Sequence, residues 1–84
     1  MSEVPTTILF FGRLADRLGR ERPMASLEAT TLGELRRRLA AADPAAEILL
    51  EPGVRASIDR EIAGDNAAIR PGQEIAFFPV FSGG

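Results

Sequence analysis

Apolar positions along this chain change their period several times, and each change marks an element boundary. From Thr6 to Phe11 the run TTILFF is β-branched and apolar until Gly12, the pattern of a strand with both faces at least partly covered and so central in its sheet. RLADRLG then sets Leu14 and Leu18 four residues apart before Gly19, which predicts one or two helical turns over 13–18. A weak alternation from Met24 to Ala29 predicts a short second strand. The clearest helix opens at Thr31, where Thr-Leu-Gly-Glu forms a capping box: the Thr31 hydroxyl accepts an amide bond and Glu34 reaches back. Leu32, Leu35 and Leu39 share one face of that helix, and Asp43-Pro44 ends it, because a residue before proline is pushed out of the helical region.

Beyond it, AAEILLEPG predicts a helical turn running into a turn at Pro52-Gly53. VRASIDR alternates with period two, setting Val54, Ala56 and Ile58 against Arg55, Ser57 and Asp59, as a half-buried strand does. A very short strand is expected at Glu61 to Ala63, then a loop through GDNAAI. Arg70-Pro71-Gly72-Gln73 has proline and glycine at the two central places of a type II turn, after which EIAFFPV extends toward the end of the chain. Strands gathered around one good helix predict an α+β fold, with a mixed sheet packed on one face by that helix. The first and last strands, both rich in apolar residues, are expected side by side and parallel in the centre, so that the tail leaves the sheet from its middle.

Composition narrows the chemistry. The 84 residues suit a single domain over 1–84, 45 % hydrophobic and 26 % charged, globular rather than disordered. The sequence contains no Cys, His, Lys, Trp or Tyr. A Ser-His-Asp triad, a thiol nucleophile, an imidazole base, a Schiff base and a nitrogen or sulfur site for zinc are all excluded, and no metal is expected. All ten cations are Arg against twelve acids, a net charge of -2, so bulk attraction to nucleic acid is not expected. The one basic run, Arg36-Arg37-Arg38, could in principle grip phosphate or an acidic partner, but between Leu35 and Leu39 it reads more simply as a solvated helix face. No apolar run approaches the roughly 18 residues of a membrane span, and MSEVPTT lacks the order of a signal peptide. A cytoplasmic protein without membrane contact is the expectation.

What remains as a reactive handle is the end of the chain, FFPVFSGG. A carboxylate there becomes transferable once another enzyme converts it to an acyl adenylate. Two glycines give the last residues the narrowest cross-section and the widest choice of backbone angles for entering a confined pocket.

Over essentially its whole length, in ILFFGRLADRLG, TTLGELRRRLA, ASIDREIA and above all PGQEIAFFPVFSGG, the chain resembles the small, sulfur-carrying subunit of molybdopterin synthase, within the ubiquitin-like β-grasp sulfur carriers. The resemblance implies a β-grasp fold and a terminal glycine, here Gly84, that an E1-like activating enzyme adenylates with ATP before it is sulfurated to a thiocarboxylate. It implies no permanently bound cofactor and no catalysis by the chain on its own. The tail of Phe81, Ser82, Gly83 and Gly84 would enter the large synthase subunit, in an expected heterotetramer. There, two sulfur transfers turn cyclic pyranopterin monophosphate into the dithiolene of molybdopterin. By position, Phe11, Ile62 and Phe78 match the family's partner-binding patch, against the plainer reading that they are core. Phe81 is bulky for a threading tail and must fit a pocket or lie at its mouth.

Other readings use the same residues. A thiamine-pathway sulfur carrier shares the fold and the Gly-Gly end, but such proteins tend to be shorter and to lack a helix at 13–18. A ubiquitin-like modifier joined to lysines of other proteins is a further reading, as is a β-grasp interaction module whose glycines are accidental. A self-contained enzyme would have to use Asp59 and Glu61, a pair more simply explained as solvated carboxylates.

Overall fold

Eight elements follow one another in the computed structural model, which describes residues 6–24 and 31–80. They are Thr6–Phe10 (β1), Arg13–Leu18 (α1), Glu21–Met24 (β2), Leu32–Ala42 (α2), a 3₁₀ helix at Pro44–Leu50, Val54–Ile58 (β3), Glu61–Ala63 (β4) and Glu74–Pro79 (β5). The strands form one mixed sheet in the order β2-β1-β5-β3-β4. β1 and β5 run parallel at its centre, with Ile8 opposite Ile75 and Phe10 opposite Phe77, while every other pairing is antiparallel. The fold is α+β, as the pattern predicts.

Alternation decides which side of the sheet is covered. Ile8, Phe10, Val54, Ala56, Ile75 and Phe77 point to one face, where Leu14 of α1, Leu32, Leu35 and Leu39 of α2 and Leu49 of the 3₁₀ helix close over them as one core. Phe10 and Phe77 stack at the centre with ring centroids 6.0 Å apart. Thr31 caps α2 by accepting from the Glu34 amide at 3.2 Å, and Asp43 ends α2 while capping the next helix through the Ala45 amide at 3.0 Å. Gly72 has φ 90, the value a type II turn asks of its third residue, and the Gly72 amide donates to the buried Thr6 hydroxyl at 3.1 Å.

The second strand differs from the expectation. It occupies Glu21–Met24 and shares only Met24 with the predicted segment, whose residues 25–29 lie outside the described residues. Its sequence, ERPM, shows no alternation, because an edge strand held by backbone pairing to β1 needs none, and Pro23 is tolerated there.

Candidate functional site

The site begins where β5 ends. Pro79 lies opposite Val54, and the next residue, Val80, donates its amide to Gly53 O at 2.8 Å. Hydrogen-bonded and non-bonded pairs alternate in an antiparallel ladder, so Pro79, which has no N–H, occupies a place where none is needed. On the other side Pro79 packs against Gly12, whose φ of 60 and ψ of -139 suit glycine alone. A Cβ on Gly12 would sit 3.0 Å from Pro79 Cγ. The last strand is therefore held from both sides up to Val80, in the middle of the sheet. Phe81, Ser82, Gly83 and Gly84, the expected tail, lie outside the described residues.

The face of the sheet opposite the helices carries the other predicted residues. Register aligns Leu9, Ala76, Ser57 and Ile62 in one row across β1, β5, β3 and β4. Phe78 stands two residues further along the same face, opposite Arg55. Phe11 follows inward-pointing Phe10, donates its amide to Phe77 O at 3.1 Å and comes beside Phe78. Phe11 is 50 % and Ile62 73 % exposed, so neither is core. Phe78 is half-buried, while its neighbour Phe77 is fully buried on the helix side. Phe11 and Phe78 stand together at the root of the tail, while Ile62 lies on the same face but two strands away at the sheet edge, and large apolar side chains left open on one face are what a docking surface requires.

The basic run on α2 behaves differently from the expectation. Arg37 and Arg38 are exposed, but Arg36 is 8 % exposed and lies within the fold. Its Nη1 donates to Leu49 O at 2.9 Å and to Val54 O at 2.7 Å, and its guanidinium lies 5.4 Å from the Phe77 ring centroid. Nε is 3.0 Å from Asp65 Oδ1, yet poorly aligned for a hydrogen bond, so that contact acts through charge. Arg36 does the work of missing sheet. β4 pairs only with Ala56 to Ile58, so the Val54 carbonyl faces past the end of β4 and the guanidinium satisfies it. A signal for this was in the sequence: Arg36 falls four residues after Leu32 and three before Leu39, inside the apolar stripe.

Asp59 also has a structural task. Asp59 and Arg60 form the two-residue turn between β3 and β4 with φ of 49 and 73, and Asp59 Oδ1 accepts the Glu74 amide at 2.9 Å. Its carboxylate anchors the start of β5 rather than making an acid–base pair with Glu61.

The ThiS family model matches residues 8–84. The chain belongs to the ThiS family. Its fold is that of ubiquitin-like β-grasp proteins: the structure is similar to SAMP1 from Haloferax volcanii, with 26 % identity and a TM-score of 0.76 over 95 % of this chain and 99 % of that one. It is also similar to Urm1 from Trypanosoma brucei, with 18 % identity and a TM-score of 0.73 over 100 % of both chains. A molybdopterin converting factor subunit 1 from Pyrococcus furiosus matches with 15 % identity and a TM-score of 0.72, over 93 % of this chain and 99 % of that one. Comparison with curated protein sequences gives no match. As a ThiS-family protein the chain is a small ubiquitin-like carrier rather than a catalyst, consistent with a site made of a strand end and an apolar face. Among its described residues no helix is long and apolar enough to cross a membrane.

Proposed function

We propose that this ThiS-family chain is the sulfur-carrying small subunit of a molybdopterin synthase. The observation that carries the reading is the placement of β5: a central strand, parallel to β1, fixed by Gly12 and Gly53 and leading directly into FSGG beside the open face of Phe11, Ile62 and Phe78. A rigid strand end next to a docking face lets a partner bind the platform and reach the tail in one geometry, which lowers the entropic cost of presenting the reacting group. In the proposed sequence the Gly84 carboxylate attacks the α-phosphate of ATP on an E1-like activating enzyme, forming an acyl adenylate and releasing pyrophosphate. A sulfide equivalent then displaces AMP and leaves a thiocarboxylate. The large synthase subunit, docked on the apolar face in a heterotetramer, receives Phe81 to Gly84 and supplies the catalytic groups for transfer to cyclic pyranopterin monophosphate. ATP is thus the activating enzyme's substrate, and the chain itself holds no resident cofactor.

Likeness to SAMP1 favours a second reading, in which Gly84 is joined to lysines of other proteins. Reconstitution separates the two. Thiocarboxylated chain, large subunit and cyclic pyranopterin monophosphate should yield molybdopterin in proportion to the thiocarboxylate consumed. Product formation at the level of large subunit alone, with isopeptide adducts of the chain in cell extract instead, would replace the synthase reading by the modifier one.

A further inference from the structure

A groove of about 410 Å³ opens beside the docking face, between α2 and the end of β4. Gly33, Arg36, Arg37, Arg55, Ile62 and Asp65 are among its walls, with Glu51 at one side. The formal count is three arginines against two acids, but the pairing matters more. Asp65 is engaged by Arg36 at 3.0 Å and Glu51 by Arg13 at 3.5 Å, while the Arg36 donor Nη1 is already shared by two carbonyls. Arg37 and Arg55 are exposed, and neither side chain has a hydrogen bond or ion pair among the described residues. Two exposed arginines with no partner among the described residues therefore line one groove, alongside the exposed apolar residues Ile62 and Leu50.

We infer that this groove seats an acidic segment of a protein partner, with carboxylates on Arg37 and Arg55 and apolar neighbours on Ile62 and Leu50. A planar guanidinium pairs with a carboxylate through two parallel hydrogen bonds, which fixes orientation as well as charge. A phosphate ligand fits less well. The amides of Leu32, Gly33 and Glu34 at the start of α2, which could have served phosphate, already donate to Ala67 O, Asp65 O and the Thr31 hydroxyl. Arg55 and Ile62 belong both to the groove and to the open sheet face, so a partner docked on that face meets the groove at its edge. The inference rests on the carrier reading in one respect only, that the partner is one of the proteins acting on the tail.

Two measurements test it, neither of which needs thiocarboxylate to form. In the first, the isotope-labelled chain is titrated at low ionic strength with a synthetic Leu-Glu-Glu-Leu peptide. The side-chain Nε–H signals of Arg37 and Arg55 and the amides of Gly33 and Gly64 should shift together, and the R37E/R55E variant should show no such shifts. Shifts that persist in the variant, no shifts in the unaltered chain, or tighter binding of inorganic phosphate at the same signals would overturn the acidic-segment assignment. In the second, R37E/R55E should weaken binding to the large subunit or to the activating enzyme by about 10- to 100-fold and flatten its salt dependence. Unchanged affinity for both proteins would overturn the partner assignment while leaving the carrier reading intact. If the R37E/R55E variant loses its fold, R37Q/R55Q takes its place and the same loss of peptide shifts is expected.

Discussion

Replacing Arg36 by methionine removes a charge that the fold has organised around itself, and the structure indicates what that costs. Methionine keeps most of the side-chain volume and its contact with Phe77, so packing changes little. Asp65 is 61 % exposed, so its half of the ion pair contributes at most about 1 kcal/mol. What cannot be replaced is Nη1, the donor to both Leu49 O and Val54 O, on residues that are themselves buried. Each carbonyl left unsatisfied costs about 1 to 3 kcal/mol, for a total of about 2 to 5 kcal/mol after release of the buried charge is allowed for. Domains of this length have a total stability of about 4 to 13 kcal/mol, so R36M should lower the melting temperature by roughly 10 to 30 °C. Since one nitrogen makes both bonds, an ammonium can stand in for it, and R36K should recover at least half of the loss. Urea or thermal unfolding followed by circular dichroism measures both. An R36M loss below about 0.5 kcal/mol, or an R36K variant no better than R36M, would refute the role given to this side chain.

Three further outcomes follow from the same geometry. Gly12→Ala places a Cβ 3.0 Å from Pro79 Cγ at a φ of 60 and should cost about 2 to 4 kcal/mol in urea unfolding. Arg60→Gly relieves a left-handed turn residue whose side chain is 86 % exposed, and should stabilise the fold by about 0.5 to 1 kcal/mol in the same assay. Phe11→Ala and Ile62→Ala should each change stability by under about 1 kcal/mol while costing about 1 to 3 kcal/mol in calorimetric binding to the large subunit, whereas Phe10→Ala should cost about 3 to 5 kcal/mol of stability.

Much of this fold is legible in the sequence wherever one side chain has one environment. Leu32, Leu35 and Leu39 on one stripe, Val54 and Ala56 in alternation, and Pro71-Gly72 at a turn each announce their element, and the structure places all of them as expected. The apolar ends of β1 and β5 likewise forecast a central parallel pair. The pattern fails where backbone rather than side chains decides. ERPM becomes a strand because β1 offers it an edge, and no periodicity records that. Arg36 fails for another reason: a run of three arginines reads as solvated, although the spacing of the middle of α2 puts the first of them in the core stripe. At the site, FFP followed by a glycine end marks the tail, and burial separates the residues that sequence leaves ambiguous. Phe11 and Ile62 are open, Phe77 is core and Phe78 lies between. The groove at Arg37 and Arg55 could not be read in advance, since it is assembled from residues of α2, the end of the 3₁₀ helix and the turn after it, β3, β4 and the loop after β4.

The central claim is that the carboxyl of Gly84 is the chemical centre and the rest of the chain is platform and docking surface. The most direct test is intact mass of the full chain and of a chain lacking Gly84, each incubated with the activating enzyme, ATP and a sulfur donor. Loss of one residue shortens the reach by about 3.3 to 3.6 Å, while group transfer needs reacting atoms within about 3 to 3.5 Å. The full chain should gain about 16 Da, the exchange of a terminal OH for SH. The shortened chain should fold with unchanged stability, bind the large subunit and gain nothing. Equal conversion of both chains, or of neither, would contradict the account.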